Sequence, residues 1–205
     1  MRLVFASNNA HKLAEVREIM PAGIEVLSLR EIGFEHDIEE TGVTLEENSK
    51  IKANAVYHWL LDNGHLTLDG VFADDTGLEI DALGGKPGVY TARWYLQDEG
   101  ATEAKTEMEN YALNRAKALR ELDGQSNRGC QFRTVITLAP KIIQVEGIVR
   151  GRITTEEYGE GGFGYDPIFV PEGYDKTFGE LPAEVKNNIS HRARALAQLV
   201  KVLQP

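Results

Sequence analysis

A short stretch in the last third of the chain combines side chains that could bind a nucleotide. Phe163–Asp166 reads Phe-Gly-Tyr-Asp, and it is followed by Lys186 and by the triplet Ser190–Arg192. Aromatic rings stack on flat ligands, while cations and amides bind oxyanions and carbonyl groups. The combination predicts a pocket for a planar, carbonyl-bearing and phosphorylated ligand, which means a nucleotide. Each residue also has an ordinary alternative, as a core aromatic, a turn residue or a helix cap.

The N-terminal segment Ser7–Lys12 is a candidate phosphate site. It lies between a predicted strand, Arg2–Ala6, and a predicted helix, His11–Met20. A helix N-terminus presents free N–H groups and a partial positive charge, and Lys12 adds a full charge. The alternative is that a polar residue here only caps the helix. The segment lacks the glycines of a P-loop or a dinucleotide fingerprint, so neither motif matches.

Two pairs of adjacent acids are candidate metal ligands or bases. Glu39-Glu40 precedes Thr41-Gly42, and Asp74-Asp75 precedes Thr76-Gly77 directly after an apolar run. Neighbouring carboxylates repel each other unless they share a cation or a proton. Such oxygens suit Mg²⁺ on a phosphate substrate, and one could serve as general base for water. Alternatively they are solvated loop acids or turn caps. Lys52 could bind phosphate or form a surface ion pair.

The composition limits the classes of partner. The 205 residues carry a formal net charge of −10, which disfavours binding to nucleic acid or to anionic membranes. No segment is apolar for long enough to span a bilayer. The single cysteine, Cys130, excludes an intrachain disulfide and favours a cytoplasmic location. A polyanionic ligand would need local cations or a divalent metal to overcome the negative mean field.

The hydrophobic pattern mixes helices and strands along the whole chain, which predicts an α/β fold with a mixed sheet. A capping box, Thr44 with Glu47, opens a helix that ends near Asp62. A second helix spans 102–122, and residues 182–203 form two helical pieces, the second starting near Ser190. Strands are expected at 2–6, 24–29, 71–73, 78–83, 132–139 and 142–153, with residues 74–77 ending the third of these.

These stretches, in this order, resemble the inosine triphosphate pyrophosphatase family, the noncanonical purine nucleoside triphosphate pyrophosphatases. The resemblance covers nearly the whole chain, and its most specific pieces are Phe-Gly-Tyr-Asp-Pro and Ser-His-Arg. The other matching stretches are 7–12, 39–42 with 47–48 and residue 52, 73–78, 83–88 with 92–93, and 184–192. The first loop departs from the Thr-Gly-Asn found in many members, because it reads Ser-Asn-Asn.

The resemblance implies a fold and a reaction. The family fold is an elongated α/β structure with two lobes around a long mixed sheet and an active-site cleft between the lobes, so residues 1–205 would form one two-lobed domain. Members are usually homodimers and need Mg²⁺. They hydrolyse deaminated purine nucleotides (ITP, dITP and XTP) to the monophosphate and pyrophosphate, which clears them from the nucleotide pool.

The resemblance also implies roles for individual residues. Phosphate would be held by Ser7, Asn8, Asn9, Ala10, His11, Lys12 and Lys52. Mg²⁺ would bind Glu39 and Asp75, with Asp75 also the base for water and Thr76 in contact with substrate. The base and ribose would be framed by Phe163, Gly164, Tyr165 and Asp166, and the 6-oxo group would be read by Lys186, His191 and Arg192. The choices between Glu39 and Glu40 and between Asp74 and Asp75 stay open.

A carbonyl at the purine 6-position is an acceptor where adenine has an amino donor, so a pocket of N–H donors would reject adenine. Two alternatives remain open from the sequence. The protein could be a related pyrophosphatase for other modified nucleotides, such as pyrimidines. It could also bind nucleotides without catalysis, although such a module has no need of paired acids.

Overall fold

The computed structural model describes residues 1–65 and 67–204, which contain a seven-stranded mixed sheet. The strands follow the order β2-β1-β3-β5-β6-β7, and β4 pairs with β3. β1 is parallel to β2 and β3, whereas β3–β4 and β6–β7 are antiparallel. The α/β prediction with a mixed sheet is therefore confirmed. The strands are β1 (Arg2–Phe5), β2 (Glu25–Leu27), β3 (Gly70–Ile80), β4 (Pro87–Gly88), β5 (Gly129–Ala139), β6 (Ile143–Ile153) and β7 (Phe169–Pro171).

The helices begin at the caps that the sequence supplies. The Thr44 hydroxyl accepts the Glu47 N–H and completes the predicted capping box, and Ser190 caps the last helix. The helix predicted from residue 102 begins later, because Thr106 provides its cap. No helix in the described part of the chain is long and apolar enough to cross a membrane. The α-helices are α1 (Ala10–Ile19), α2 (Leu45–Asp62), α3 (Glu107–Glu121), α4 (Ala183–Ile189) and α5 (His191–Leu203).

One boundary prediction is wrong. Residues 74–77 were expected to end one strand and 78–83 to form the next, but β3 runs without a break from Gly70 to Ile80. The acids at 74 and 75 are buried within this strand, where each meets a cation, so they do not have to lie at a solvated strand end. The short strand β7 was also missed, because three residues give no periodic signal.

The chain forms two compact units, and the first contains Met1–Asp75, Thr134–Gly147 and Ser190–Pro205. Side chains alternate across the strands of this unit, so each strand contributes to two separate apolar clusters. On one face Leu3, Phe5 and Phe72 pack with residues of α1 and α5. On the other face Val4 and Val71 pack with Ala53, Val56 and Leu60 of α2.

The second unit contains Thr76–Arg133 and Ile148–Ile189. Its core combines β-strand residues with aromatic side chains from the loops, including Leu78, Ile80, Trp94, Phe132, Phe169 and Phe178. Gly151 allows β6 to approach its neighbour closely, because a Cβ there would lie 2.4 Å from the Val170 carbonyl oxygen.

Two substitutions on α5 test which face of this helix supports the first unit. Leu199 is 1% exposed and Val202 is 39% exposed on the same helix. Leu199→Ala should lower the free energy of unfolding by roughly 2–5 kcal/mol, because it removes buried methyl groups and leaves a cavity. Val202→Ala should stay within about 0.5 kcal/mol of the parent. Urea denaturation measures both, and equal losses would contradict the assigned packing.

Candidate functional site

The adjacent acids Asp74 and Asp75 point to opposite faces of β3, because successive side chains of a strand alternate. An Asp74 oxygen lies 3.0 Å from Lys12 Nζ, and its other oxygen lies 3.2 Å from Arg192 Nε. Asp75 Oδ1 lies 3.3 Å from Lys52 Nζ. The sequence suggested that the two carboxylates share one cation. In the structure each carboxylate has its own side-chain partners.

The face of Asp74 carries a balanced cluster of charges. Arg192, from the first turn of α5, is only 2% exposed and also donates to the Glu15 carboxylate. Lys12 and Glu15 both lie on α1, three residues apart and therefore on one side of the helix. Two cations thus meet two carboxylates. Glu15 was missed in the sequence, although its spacing from Lys12 was a usable signal.

The face of Asp75 is short of one positive charge. Lys52 Nζ lies 2.9 Å from Glu40 Oε2 in addition to its contact with Asp75, so one cation serves two carboxylates. Glu39, the predicted metal ligand, has an exposed side chain, and it is its neighbour Glu40 that reaches Lys52. The loop that carries Glu39 and Glu40 is held against α2, because Asn48 Oδ1 accepts the Gly42 N–H at 2.8 Å.

The surroundings of the two aspartates shift their pKa values in opposite directions. Burial opposes ionisation of Asp74, but Lys12 and Arg192 outweigh it and hold the pKa of this carboxyl far below its usual range. Burial raises the pKa of Asp75, and Lys52 compensates only in part. Lys52 is itself buried, yet Asp75 and Glu40 raise its pKa and keep it charged. Such a divergence between neighbouring groups is typical of acid and base pairs in active sites.

Asp75 also has an unused ligand atom. Its Oδ2 is buried and has no hydrogen-bond partner. A buried carboxylate oxygen without a donor is costly, so this atom is suited to a cation or a proton. Between residues 1–65 and 67–204 no cluster of three or more His, Cys, Asp or Glu side chains could hold a metal alone. The donor set fits an ion that the protein binds through one or two carboxylates and that phosphate oxygens also ligate, as Mg²⁺ does.

The segment Ser7–Lys12 lies at the start of α1 as predicted. The Asn9 side chain accepts the Lys12 N–H at 2.9 Å, and Ser7 Oγ accepts the Asn9 N–H at 3.3 Å. The capping role is therefore real, and it coexists with a lysine that points to Asp74. Asn8, Ala10 and His11 are exposed.

A separate polar group lies in the second unit, around Asp166. Asp166 Oδ2 accepts the Lys186 ammonium at 2.6 Å and the Phe163 N–H at 2.7 Å. Lys186 Nζ also lies 4.5 Å from the centroid of the Phe163 ring, a cation–π contact. Gly162 must lack a side chain, because a Cβ there would lie 2.0 Å from Asp166 Oδ2. Phe163, Asp166 and Lys186 thus form one fixed group.

The remaining predicted residues have mixed environments. Tyr165 is 5% exposed in the core of the second unit, and its hydroxyl donates to the Thr91 carbonyl. Gly164 presents a carbonyl that accepts from Arg115, and Thr76 is half-buried in β3. His191 belongs to the first unit, where its ring contacts Thr134. The structure thus groups Arg192 with the acids and lysines of the first unit and Lys186 with Phe163, while the His191 ring lies against Thr134.

A recess of about 390 Å³ lies elsewhere in the second unit and contains none of the predicted residues. Arg128 lines it, but this guanidinium donates to the carbonyls of Leu122, Ile153 and Thr154. Arg128 therefore stabilises the local backbone.

The balanced face predicts a stability role for Asp74. Asp74→Asn leaves Lys12 and Arg192 without one carboxylate and should cost roughly 3–5 kcal/mol of unfolding free energy at pH 7. Because the pKa of Asp74 is lowered by folding, its contribution is complete above the unfolded pKa of about 3.9 and fades below it. The difference between parent and variant should therefore shrink as the pH falls below about 4. Glu25→Gln, in the exposed pair with Arg2, is the control and should change little.

Known proteins match this chain over nearly its whole length. The profile of the Ham1 family matches residues 3–202. The chain is 45% identical over 205 residues to the dITP/XTP pyrophosphatase of Flavobacterium johnsoniae, which covers 99% of this chain and 98% of that protein. It is 44% identical over 207 residues to the dITP/XTP pyrophosphatase of Bacillus subtilis, covering 98% and 96%.

Solved structures agree with these matches. The Staphylococcus aureus Ham1 protein superposes with a TM-score of 0.80 at 38% identity, covering 99% of this chain and 98% of that one. A HAM1 protein from Coxiella burnetii superposes with a TM-score of 0.79 at 37% identity, again covering 99% and 98%. The match over nearly the full length, in sequence and in fold, shows that this chain belongs to the Ham1 family.

Proposed function

We propose that this protein is a nucleoside triphosphate pyrophosphatase that hydrolyses ITP, dITP and XTP to the monophosphate and pyrophosphate. The observation that carries the proposal is the divided pair Asp74 and Asp75, with one acid neutralised and the other held with an unused buried oxygen. The relatives named dITP/XTP pyrophosphatase support the substrate class. Removal of such nucleotides would keep deaminated purines out of the nucleotide pool.

Asp75 is the proposed general base. In the reaction a water oxygen forms a bond to the α-phosphorus, the bond to the bridging oxygen of the β-phosphate breaks, and pyrophosphate leaves. The proton of the water passes to an Asp75 oxygen, which is a stronger base than an ordinary carboxylate because burial raises its pKa. Lys12 and Lys52 bind the phosphate oxygens and stabilise the charge of the leaving group. The α1 N-terminus, Ser7–Lys12, binds phosphate with them.

Mg²⁺ is the proposed cofactor, and it supplies positive charge that offsets the triphosphate. Asp75 would hold it through Oδ2, together with Glu39 or Glu40. The deficit of one positive charge on this face supports the assignment, since Lys52 alone faces two carboxylates. Asp74 has a different role, because its two cations leave it no need of a metal.

Recognition of the base is assigned to side chains with an N–H donor. Lys186 is fixed by Asp166 beside the Phe163 ring, so an aromatic ring and an ammonium group lie side by side. His191 would add a ring donor, and Arg192 supports the acid cluster through Asp74. Donors favour the carbonyl of hypoxanthine or xanthine over the amino group of adenine. Thr76 and Tyr165 complete the proposed surroundings of the substrate.

Three further properties follow from the family resemblance and the composition. We propose a homodimer, a cytoplasmic location and no binding to nucleic acid or membranes. The net charge of −10 supports the last of these, because polyanions would be repelled outside the lysine-bearing site.

Asp75→Asn should separate catalysis from stability. We expect kcat for ITP to fall by about 10²–10⁴, the usual contribution of a general base. The melting temperature should hardly change, because Asn has the same shape and Lys52 keeps Glu40. Pyrophosphate release from ITP, dITP, XTP, ATP and GTP, with and without Mg²⁺, is the measurement.

Asp74→Asn is the contrasting variant, since its melting temperature should fall where that of Asp75→Asn does not. An unchanged kcat of Asp75→Asn would contradict the proposal that Asp75 is the general base and a metal ligand. Faster hydrolysis of pyrimidine or methylated triphosphates than of ITP would overturn the purine assignment. Activity of the parent that is the same with a chelator as with Mg²⁺ would exclude the metal.

A further inference from the structure

The ring of His191 contacts the buried hydroxyl of Thr134, a residue to which the proposed mechanism assigns no role. His191 is the first residue of α5, and its Nδ1 lies 2.6 Å from Oγ1 of Thr134 on β5. Thr134 is fully buried and His191 is 6% exposed. A contact of this length between buried groups fixes the position of the ring and ties its tautomer to the direction in which the Thr134 hydroxyl points.

The backbone of His191 is held as firmly as its ring. Gly147 of β6 faces the first turn of α5, and a Cβ at this position would lie 2.1 Å from the His191 carbonyl oxygen and 2.3 Å from the Ala195 nitrogen. The helix can therefore approach β6 only because residue 147 is glycine. β5 holds the ring and β6 accommodates the main chain, so the histidine has little freedom to rotate.

The protonation of the ring decides what His191 can recognise. A neutral imidazole has one N–H donor and one acceptor nitrogen, and the partner of the first nitrogen sets the state of the second. If the Thr134 hydroxyl donates to Nδ1, the proton of the ring must sit on Nε2. An Nε2–H group can donate to a purine carbonyl, whereas a bare Nε2 would prefer the amino group of adenine.

We propose that Thr134 is a positioning residue, which donates its hydroxyl hydrogen to His191 Nδ1 and so keeps Nε2–H as a donor for the carbonyl of a keto-purine. This inference rests on the proposed function, because it assumes that His191 contacts the base. It assigns part of the discrimination between ITP and ATP to a buried strand residue without contact to substrate.

The test uses three variants of β5 in the full-length protein. Thr134→Val keeps the shape and removes the hydroxyl, and Thr134→Ser keeps the hydroxyl. Thr137→Val is the matched control, because Thr137 is also fully buried, and its hydroxyl lies 2.7 Å from Ser49 Oγ and accepts from Gln144. Side-chain alternation puts it on the opposite face of β5 from Thr134.

We expect Thr134→Val to lower kcat/KM for ITP about tenfold, the value of one hydrogen bond of ordinary strength, and to lower the ratio of ITP to ATP activity. Thr134→Ser should restore most of the loss, and Thr137→Val should leave the ratio unchanged. In a His191→Ala background Thr134→Val should cause no further loss, since the two residues act as a unit. Thermal melts establish that every variant is folded.

Nitrogen NMR of the imidazole gives a second readout that requires no substrate. The parent should show His191 protonated at Nε2, and Thr134→Val should lose this preference. The inference is overturned if the parent carries its proton on Nδ1, or if Thr134→Val keeps the parent's activity ratio. If the parent itself fails to prefer ITP, the proposed function is wrong. The NMR experiment still decides whether Thr134 determines which nitrogen of the His191 ring carries the proton.

Discussion

The structure depends on the cost of burying two adjacent carboxylates in the middle of a strand. Ionised Asp74 and Asp75 could not lie within β3 without cations on both faces, because unpaired buried charge is expensive. The fold supplies those cations from three helices: Lys12 from α1, Lys52 from α2 and Arg192 from α5. The same three helices therefore contribute both the apolar side chains of the core and the cations that pair with the two aspartates.

The two faces of β3 differ in their charge balance. On the first face the charges of Lys12 and Arg192 are matched by those of Asp74 and Glu15. The second face has one cation for two carboxylates and an unpaired oxygen. A bound cation would therefore stabilise this face by supplying the missing positive charge. Functional sites often carry such a local deficit, which the rest of the protein has to stabilise.

Much of the fold could be predicted from the sequence, because the strands and helices carry clear periodicity and caps. Thr44 with Glu47 and Ser190 mark helix starts that the structure confirms. The continuity of β3 could not be predicted, since Asp-Asp-Thr-Gly is typical of a turn and only its distant cations explain its place in a strand. The candidate residues were proposed by type and resemblance, but their grouping was not. Thr134 acquires meaning only through its contact with His191, which is distant in sequence, and Glu15 through Arg192 in addition to its spacing from Lys12.

The Ser-His-Arg triplet shows why a motif can be specific without its residues sharing a target. At a helix start, consecutive side chains point about 100° apart, because the helix has 3.6 residues per turn. Ser190 turns back to cap the Ala193 N–H, His191 meets Thr134 on β5, and Arg192 meets Asp74 on β3. Three neighbours therefore attach α5 to its own backbone and to two strands. The three contacts converge on one helix start, so the triplet fixes the position of α5 although each member has a different partner.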